Sequence, residues 1–289
     1  MAQVKIVTDS AQDFEPNLLE GLGITVVPLN VHFGDVSFKD GYELRGKEFY
    51  EKLESSAHIA RTSQPSPWDF EQVFARLTED GSAVVAITLS SALSGTYQSA
   101  VMAAQALPDR QITVIDSKSA SGMYGMMAIL AQEMSDQGKS LDEIVAAVNR
   151  MRENAVTVFC VDTLDYLARN GRIGKAAHFL GTLLNMKPVL SLDKDGYVTA
   201  IERVRGKEKE RVIPRMVEIA KERLAGEDQV HLCISHANAP AEAALLKKQA
   251  KDMFTVTRLF EAEIGAIIGT HTGPGTLALL AIPSRCIQL

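Results

Sequence analysis

An apolar run, Ala83-Val-Val-Ala-Ile-Thr88, feeds into a turn of hydroxyls and glycine. The chain then continues into a small-residue, helix-competent run, Tyr97-Gln-Ser-Ala-Val-Met-Ala-Ala-Gln105. A buried strand that turns and opens a helix is the repeating unit of a sheet covered by helices. The unit recurs through the first half. Val4 to Val7 is a short strand followed by a helix over Asp13 to Leu22. Ile24 to Phe33 reads as a second strand, with Pro28 marking an edge position or a bulge. Ser66-Pro67 followed by Asp69 starts a helix, and Arg61 to Ser66 is the loop before it. Gln111 to Ile115 is a strand, and Met123 to Gln137 is a helix apolar on most faces and therefore buried. Ser140-Leu-Asp-Glu143 is a capping box that opens the next helix. This alternation predicts an α/β fold with a mainly parallel sheet.

The pattern restarts near Ala155, which predicts two α/β units, 1–155 and 156–289. Val156 to Val161 is a strand, followed by a short helical region reaching Leu184. Lys187 to Leu192 and Tyr197 to Ile201 flank Asp193-Lys-Asp-Gly196, a hairpin signal. The charged run Glu202 to Arg211 reads as a solvated helix entrance, and the helix follows over Val212 to Leu224. A strand at Gln229 to Ser235, a helix opened by Pro240 and a strand at Thr255 to Phe260 come next. Gly265 to Gly275 reads as a Gly/Thr loop holding His271, and Leu277 to Ile282 is a last strand, free to join either sheet.

Composition narrows the function classes. The chain has 289 residues, 46% of them hydrophobic and 23% charged, enough for a sizeable core without staples. Its formal net charge of −6 disfavours a general nucleic-acid surface. The three cysteines, Cys160, Cys233 and Cys286, are scattered and form no zinc pattern. No apolar run approaches the roughly 20 residues of a membrane span, and the start of the chain goes straight into a strand. The expectation is a reduced, cytoplasmic protein with no transmembrane segment, which leaves transient contact with a membrane surface open.

Three chemistries compete for the strand-to-helix turn. Ser90, Ser91, Ser94, Gly95 and Thr96 sit where backbone N–H groups and the helix dipole converge, a place for an anion. The same residues also serve as an ordinary helix cap. A nucleophile reading would join Ser94 to His271 and Asp116, yet no G-x-S-x-G elbow surrounds Ser94. A nucleotide reading lacks both G-x-x-x-x-G-K-[ST] and an early G-x-G-x-x-G. A binding reading takes Thr62, Ser94 and His271, with Ser63 beside Thr62, as hydroxyl and imidazole groups suited to a carboxylate. Arg172, Arg203 and Arg205 face a phosphate donor or an acidic partner, or are plain surface charges.

Several segments together carry a resemblance. They are Thr8-Asp9-Ser10, Arg61-Thr-Ser-Gln-Pro-Ser66, Ser90 to Ala100, Asp116-Ser117, Leu164 to Ile173, Met186-Lys-Pro-Val-Leu190 and His271-Thr-Gly-Pro-Gly275. In this order and spacing the chain resembles the DegV family of bacterial fatty-acid-binding proteins, the FakB-type subunits of fatty acid kinase, over essentially its whole length. The resemblance implies two α/β domains with a long-chain fatty acid in an apolar tunnel between them. It implies that Thr62, Ser94 and His271 bind the carboxylate, with Ser63, the Gly95 backbone and Thr272 close by. It also implies that Arg172 and Arg205, or Arg203 in its place, serve a partner kinase subunit. ATP and magnesium would belong to that kinase, leaving this chain without a cofactor and not itself the catalyst. The alternative is a stand-alone hydrolase or acyltransferase using Ser94.

Overall fold

A computed structural model describes residues 3–181, 185–206 and 209–287. The first half contains β1 (Val4–Asp9), α1 (Pro16–Gly21), β2 (Thr25–Val27), β3 (Asn30–Phe33), β4 (Val36–Lys39) and α2 (Gly46–Ser55). It continues through β5 (Arg61–Ser63), α3 (Pro67–Leu77), β6 (Ala83–Thr88), α4 (Thr96–Gln105), β7 (Ile112–Asp116), α5 (Gly122–Asp136) and α6 (Leu141–Asn154). The second half contains β8 (Val156–Cys160), α7 (Asp165–Arg169), β9 (Met186–Leu192), β10 (Val198–Arg205) and α8 (Lys209–Arg223). It closes with β11 (Gln229–His236), α9 (Pro240–Met253), β12 (Thr255–Glu263), α10 (Ala266–Thr272) and β13 (Leu277–Pro283).

The parallel sheet has the order β2-β1-β6-β7. Its inner strand β6 is buried at every residue, as its unbroken apolar run requires. Both expected helix starts carry capping boxes, Ser66 with Asp69 on α3 and Ser140 with Glu143 on α6. Helix α5 is buried on nearly all sides because it packs against strands of both large sheets.

The expected strand from Ile24 to Phe33 is two strands. Pro28 separates β2, an edge of the parallel sheet, from β3, which turns away into a small antiparallel sheet ordered β4-β3-β5. The second large sheet has the order β10-β9-β8-β13-β11-β12. Here the mainly parallel expectation applies only to β11 and β12, which are joined through α9; every other pair is antiparallel. The hairpin at Asp193 forces β9 against β10, and β13 enters between β8 and β11. All seven residues of β13 are buried.

The charged run after Ile201 begins as strand, with β10 extending to Arg205 at the edge of the sheet, and ends as the entrance of α8 from Lys209. Lys207 and Glu208 of that run, and 182–184 of the expected helical region, lie outside the described residues. All three cysteines are buried and free. Among the described residues no helix is long and apolar enough to cross a membrane.

Candidate functional site

A cavity opens between the C-terminal end of β6 and one face of the six-stranded sheet. Leu29, Leu89 and Leu93 wall it from the first half, and Phe159, Leu192 and Leu280 from the second. Its floor follows from strand periodicity. Ala278 pairs with Phe159 and Leu280 with Thr157, so alternate residues of β8 and β13 face the same space.

The polar groups gather where three elements meet. Thr62 comes from β5 and His271 from the last turn of α10, and Thr62 Oγ1 lies 2.8 Å from His271 Nε2. Thus Thr62 is on a short strand and His271 on a helix, where the sequence suggested loops. Burial, reinforced by the nearby Arg172 charge, pulls the His271 imidazole down to about 4, so the ring is neutral near pH 7. Its Nδ1 is buried and finds no partner among the described residues. In the tautomer that carries its proton on Nε2, His271 donates to Thr62 and the Thr62 hydroxyl proton is left to point at a ligand.

Ser94 lines the same space just ahead of α4. Its hydroxyl accepts from the Thr96 N–H at 3.3 Å and lies 2.9 Å from Thr96 Oγ1, so it both caps the helix and faces the cavity. Gly95 lies behind Gln64: a Cβ there would meet Gln64 Nε2 at 2.6 Å, so a larger residue would displace the Gln64 amide. Gln64 borders the cavity and is the site residue that the sequence reading passed over, although it stands between Ser63 and Pro65 in the quoted segment. Arg172 lines the rim. It is exposed, with Nε donating to the Leu93 carbonyl at 3.2 Å and Nη1 to the Asn170 carbonyl at 2.7 Å. Thr272 also lines the cavity, though its hydroxyl donates back to the Ile268 carbonyl at 3.1 Å.

Other candidates lie apart. Ser63 alternates to the opposite side of β5, and its hydroxyl is 2.9 Å from His32 Nε2. Arg203 stands on β10 with its guanidinium 5.1 Å from the Phe179 ring centre, and Arg205 is exposed on the same edge strand. Ser94, His271 and Asp116 are bonded elsewhere, to Thr96, Thr62 and Lys118 respectively, so they do not form a relay. No cluster of metal-ligating side chains occurs among the described residues.

The helix that carries His271 is held from below by the first half of the chain. Asp13 Oδ1 accepts from the Gly265 N–H at 2.9 Å and Asp40 Oδ1 from the Ala266 N–H at 3.0 Å. Asp9 accepts from Leu89 N–H at 2.8 Å and from the Tyr124 hydroxyl at 2.6 Å, fixing the turn after β6. Burial raises Asp9 to about 6 and Asp40 to about 7, and Asp13 well above the carboxylate range.

A family model described as "Uncharacterised protein, DegV family" matches residues 3–284. A DegV domain-containing protein of Streptomyces coelicolor is 37% identical over 279 residues, covering 96% of this chain and 97% of that protein. Another from Deinococcus radiodurans is 34% identical over 281 residues, covering 97% and 98%. The solved structure of a DegV family protein from Thermus thermophilus, described by its fatty acid binding, is similar with a TM-score of 0.91 and 36% identity over 97% of this chain and 99% of that one. A stearic-acid-binding protein from Eubacterium ventriosum is similar with a TM-score of 0.89 and 28% identity over the full length of both.

Proposed function

The chain belongs to the DegV family, and on that premise we propose that it binds a long-chain fatty acid in its cavity and presents the carboxylate to a partner ATP-dependent kinase for acyl-phosphate formation. One observation carries the binding half of this reading: a mostly apolar cavity has Thr62, Gln64, Ser94 and His271 grouped with Arg172 at its rim. Structures of relatives described by fatty acid binding support it. An acyl chain gains about 0.8 kcal/mol per buried CH₂, so a chain of about 14–18 carbons draws its affinity from the walls while the polar group sets its direction. The Thr62 hydroxyl and the Gln64 amide are neutral donors to the carboxylate, and Arg172 supplies the opposing charge.

The phosphoryl half rests on the position of Arg172. It is exposed at the rim, so a second protein carrying ATP and magnesium reaches the carboxylate there without unfolding the cavity. Arg203 and Arg205, on an exposed edge strand, belong to the docking surface in this reading. The protein supplies no covalent chemistry of its own.

Native mass spectrometry of the protein purified from cells tests the binding half. The expected result is a co-purified fatty acid, and an empty protein that takes up no added stearate overturns it. Incubation of the loaded protein with a fatty acid kinase subunit, ATP and magnesium tests the second half. Acyl phosphate should form and should fall sharply with Arg172→Ala. Its absence from the unsubstituted protein refutes the presentation role while leaving fatty-acid binding intact. Serine-directed covalent labelling at Ser94 with turnover would instead favour a hydrolase.

A further inference from the structure

A second groove lies on the other side of Thr157 and Leu192, the two residues that border both it and the proposed fatty-acid cavity. Its chemistry is unlike that of its neighbour. Lys118, Arg152, Lys194, Arg223 and Arg285 converge on it from five separate segments, against the carboxylates of Glu153 and Asp193. In a chain of net charge −6 this is a local excess of positive charge.

Three of the cations are engaged. Lys118 pairs with Asp116 at 2.8 Å, Arg285 with Glu227 at 2.5 Å, and Arg152 lies 3.9 Å from Glu153. Asp193 is taken by Lys175 at 2.5 Å and by the N–H groups of its own turn. Arg223 and Lys194 have no carboxylate partner among the described residues. Arg223, the last residue of α8, is instead held by one nitrogen: its Nη1 donates to Ser191 Oγ at 2.7 Å, and that hydroxyl donates to the Thr157 carbonyl at 2.7 Å. The guanidinium is therefore oriented, with the rest of its fork uncommitted.

We propose that this groove is a phosphate-binding site whose ligand accepts hydrogen bonds from Arg223 and Lys194. Two cations without carboxylate partners match a phosphate's charge, and the free edge of an oriented guanidinium suits its oxygens. The phosphate belongs to a soluble ion or ester, or to an anionic lipid headgroup.

Calorimetric titration of the fatty-acid-loaded protein with inorganic phosphate and with glycerol phosphate, against chloride at equal ionic strength, tests the soluble source. Flotation with phosphatidylglycerol vesicles, against phosphatidylcholine vesicles, tests the headgroup. Saturable binding in either arm supports the site and names the source. The double variant R223A/K194A should weaken binding at least about tenfold, about 1.4 kcal/mol, with its fatty-acid content in native mass spectrometry unchanged. No saturable binding in either arm, or binding that the double variant leaves intact, overturns the proposal.

Discussion

Thr62 and His271 share a hydrogen bond across 209 positions of sequence, and the side of β5 on which each hydroxyl lies sets its role. Thr62→Val keeps the shape and removes the donor, so fatty-acid affinity should fall about 10- to 150-fold, the equivalent of roughly 1.5–3 kcal/mol for a hydrogen bond to a charged group. Ser63→Ala, one residue on but turned to His32, should leave affinity unchanged. Displacement of a fluorescent fatty acid reads both, and equal losses would refute the assignment. The buried carboxylates make a second prediction. Burial raises Asp9 to about 6 and Asp40 to about 7, so each contributes stability that is lost as pH rises through its folded value, while His271, held down to about 4, contributes in the opposite direction between about pH 4 and 6.5. Asp40→Asn removes one share, so its effect on stability is expected to become less destabilising, or more stabilising, as pH rises from about 5 to 7. Denaturant midpoints of both proteins at several pH values check this, and a difference that does not change with pH would contradict it. Thr62, Ser94 and His271 were legible as candidates from residue type, but Gln64 was not, because a lone amide beside a proline carries no chemical signature until Gly95 is seen to make room for it.

At the scale of elements, α10 is the piece on which the site depends. It packs so closely on α2 that a Cβ at Gly269 would meet Phe49 Cε1 at 2.7 Å and the Tyr50 hydroxyl at 2.8 Å. Gly269→Ala should push the helix away from Thr62, costing roughly 1–3 kcal/mol of stability and weakening fatty-acid binding with it. Thermal unfolding and ligand displacement measured together test this, and a variant with full affinity would show that α10 does not set the site. Helices α3, α5 and α6 were readable because capping boxes and long apolar periodicity are local signals. The short α10 was not, since glycine and threonine conceal its helical character, and β5 has only three residues, whose pairing partner β3 lies some thirty positions earlier. The antiparallel sheet escaped for a related reason: β13 enters between β8 and β11, and no local pattern encodes which strands a chain end will join.

Across the whole molecule, the cavity replaces solid core between two sheets, so its contents contribute to stability. A ligand present at a hundred times its dissociation constant stabilises the folded state by about 2.7 kcal/mol. Delipidated protein should melt at a lower temperature and regain its melting point when stearate is added. Unchanged melting on stripping would mean that the two sheets hold together without the ligand. The same architecture has a consequence for inheritance. Asp13 and Asp40 lie in the first half of the chain, and the amides they receive, Gly265 and Ala266, lie in the second. A hybrid that joins the first half of this chain to the second half of a relative must keep both carboxylates with the helix they hold. A hybrid that loses them leaves two amides unpaired inside the protein. Recombination should therefore spare this chain's fold only where those four positions travel together.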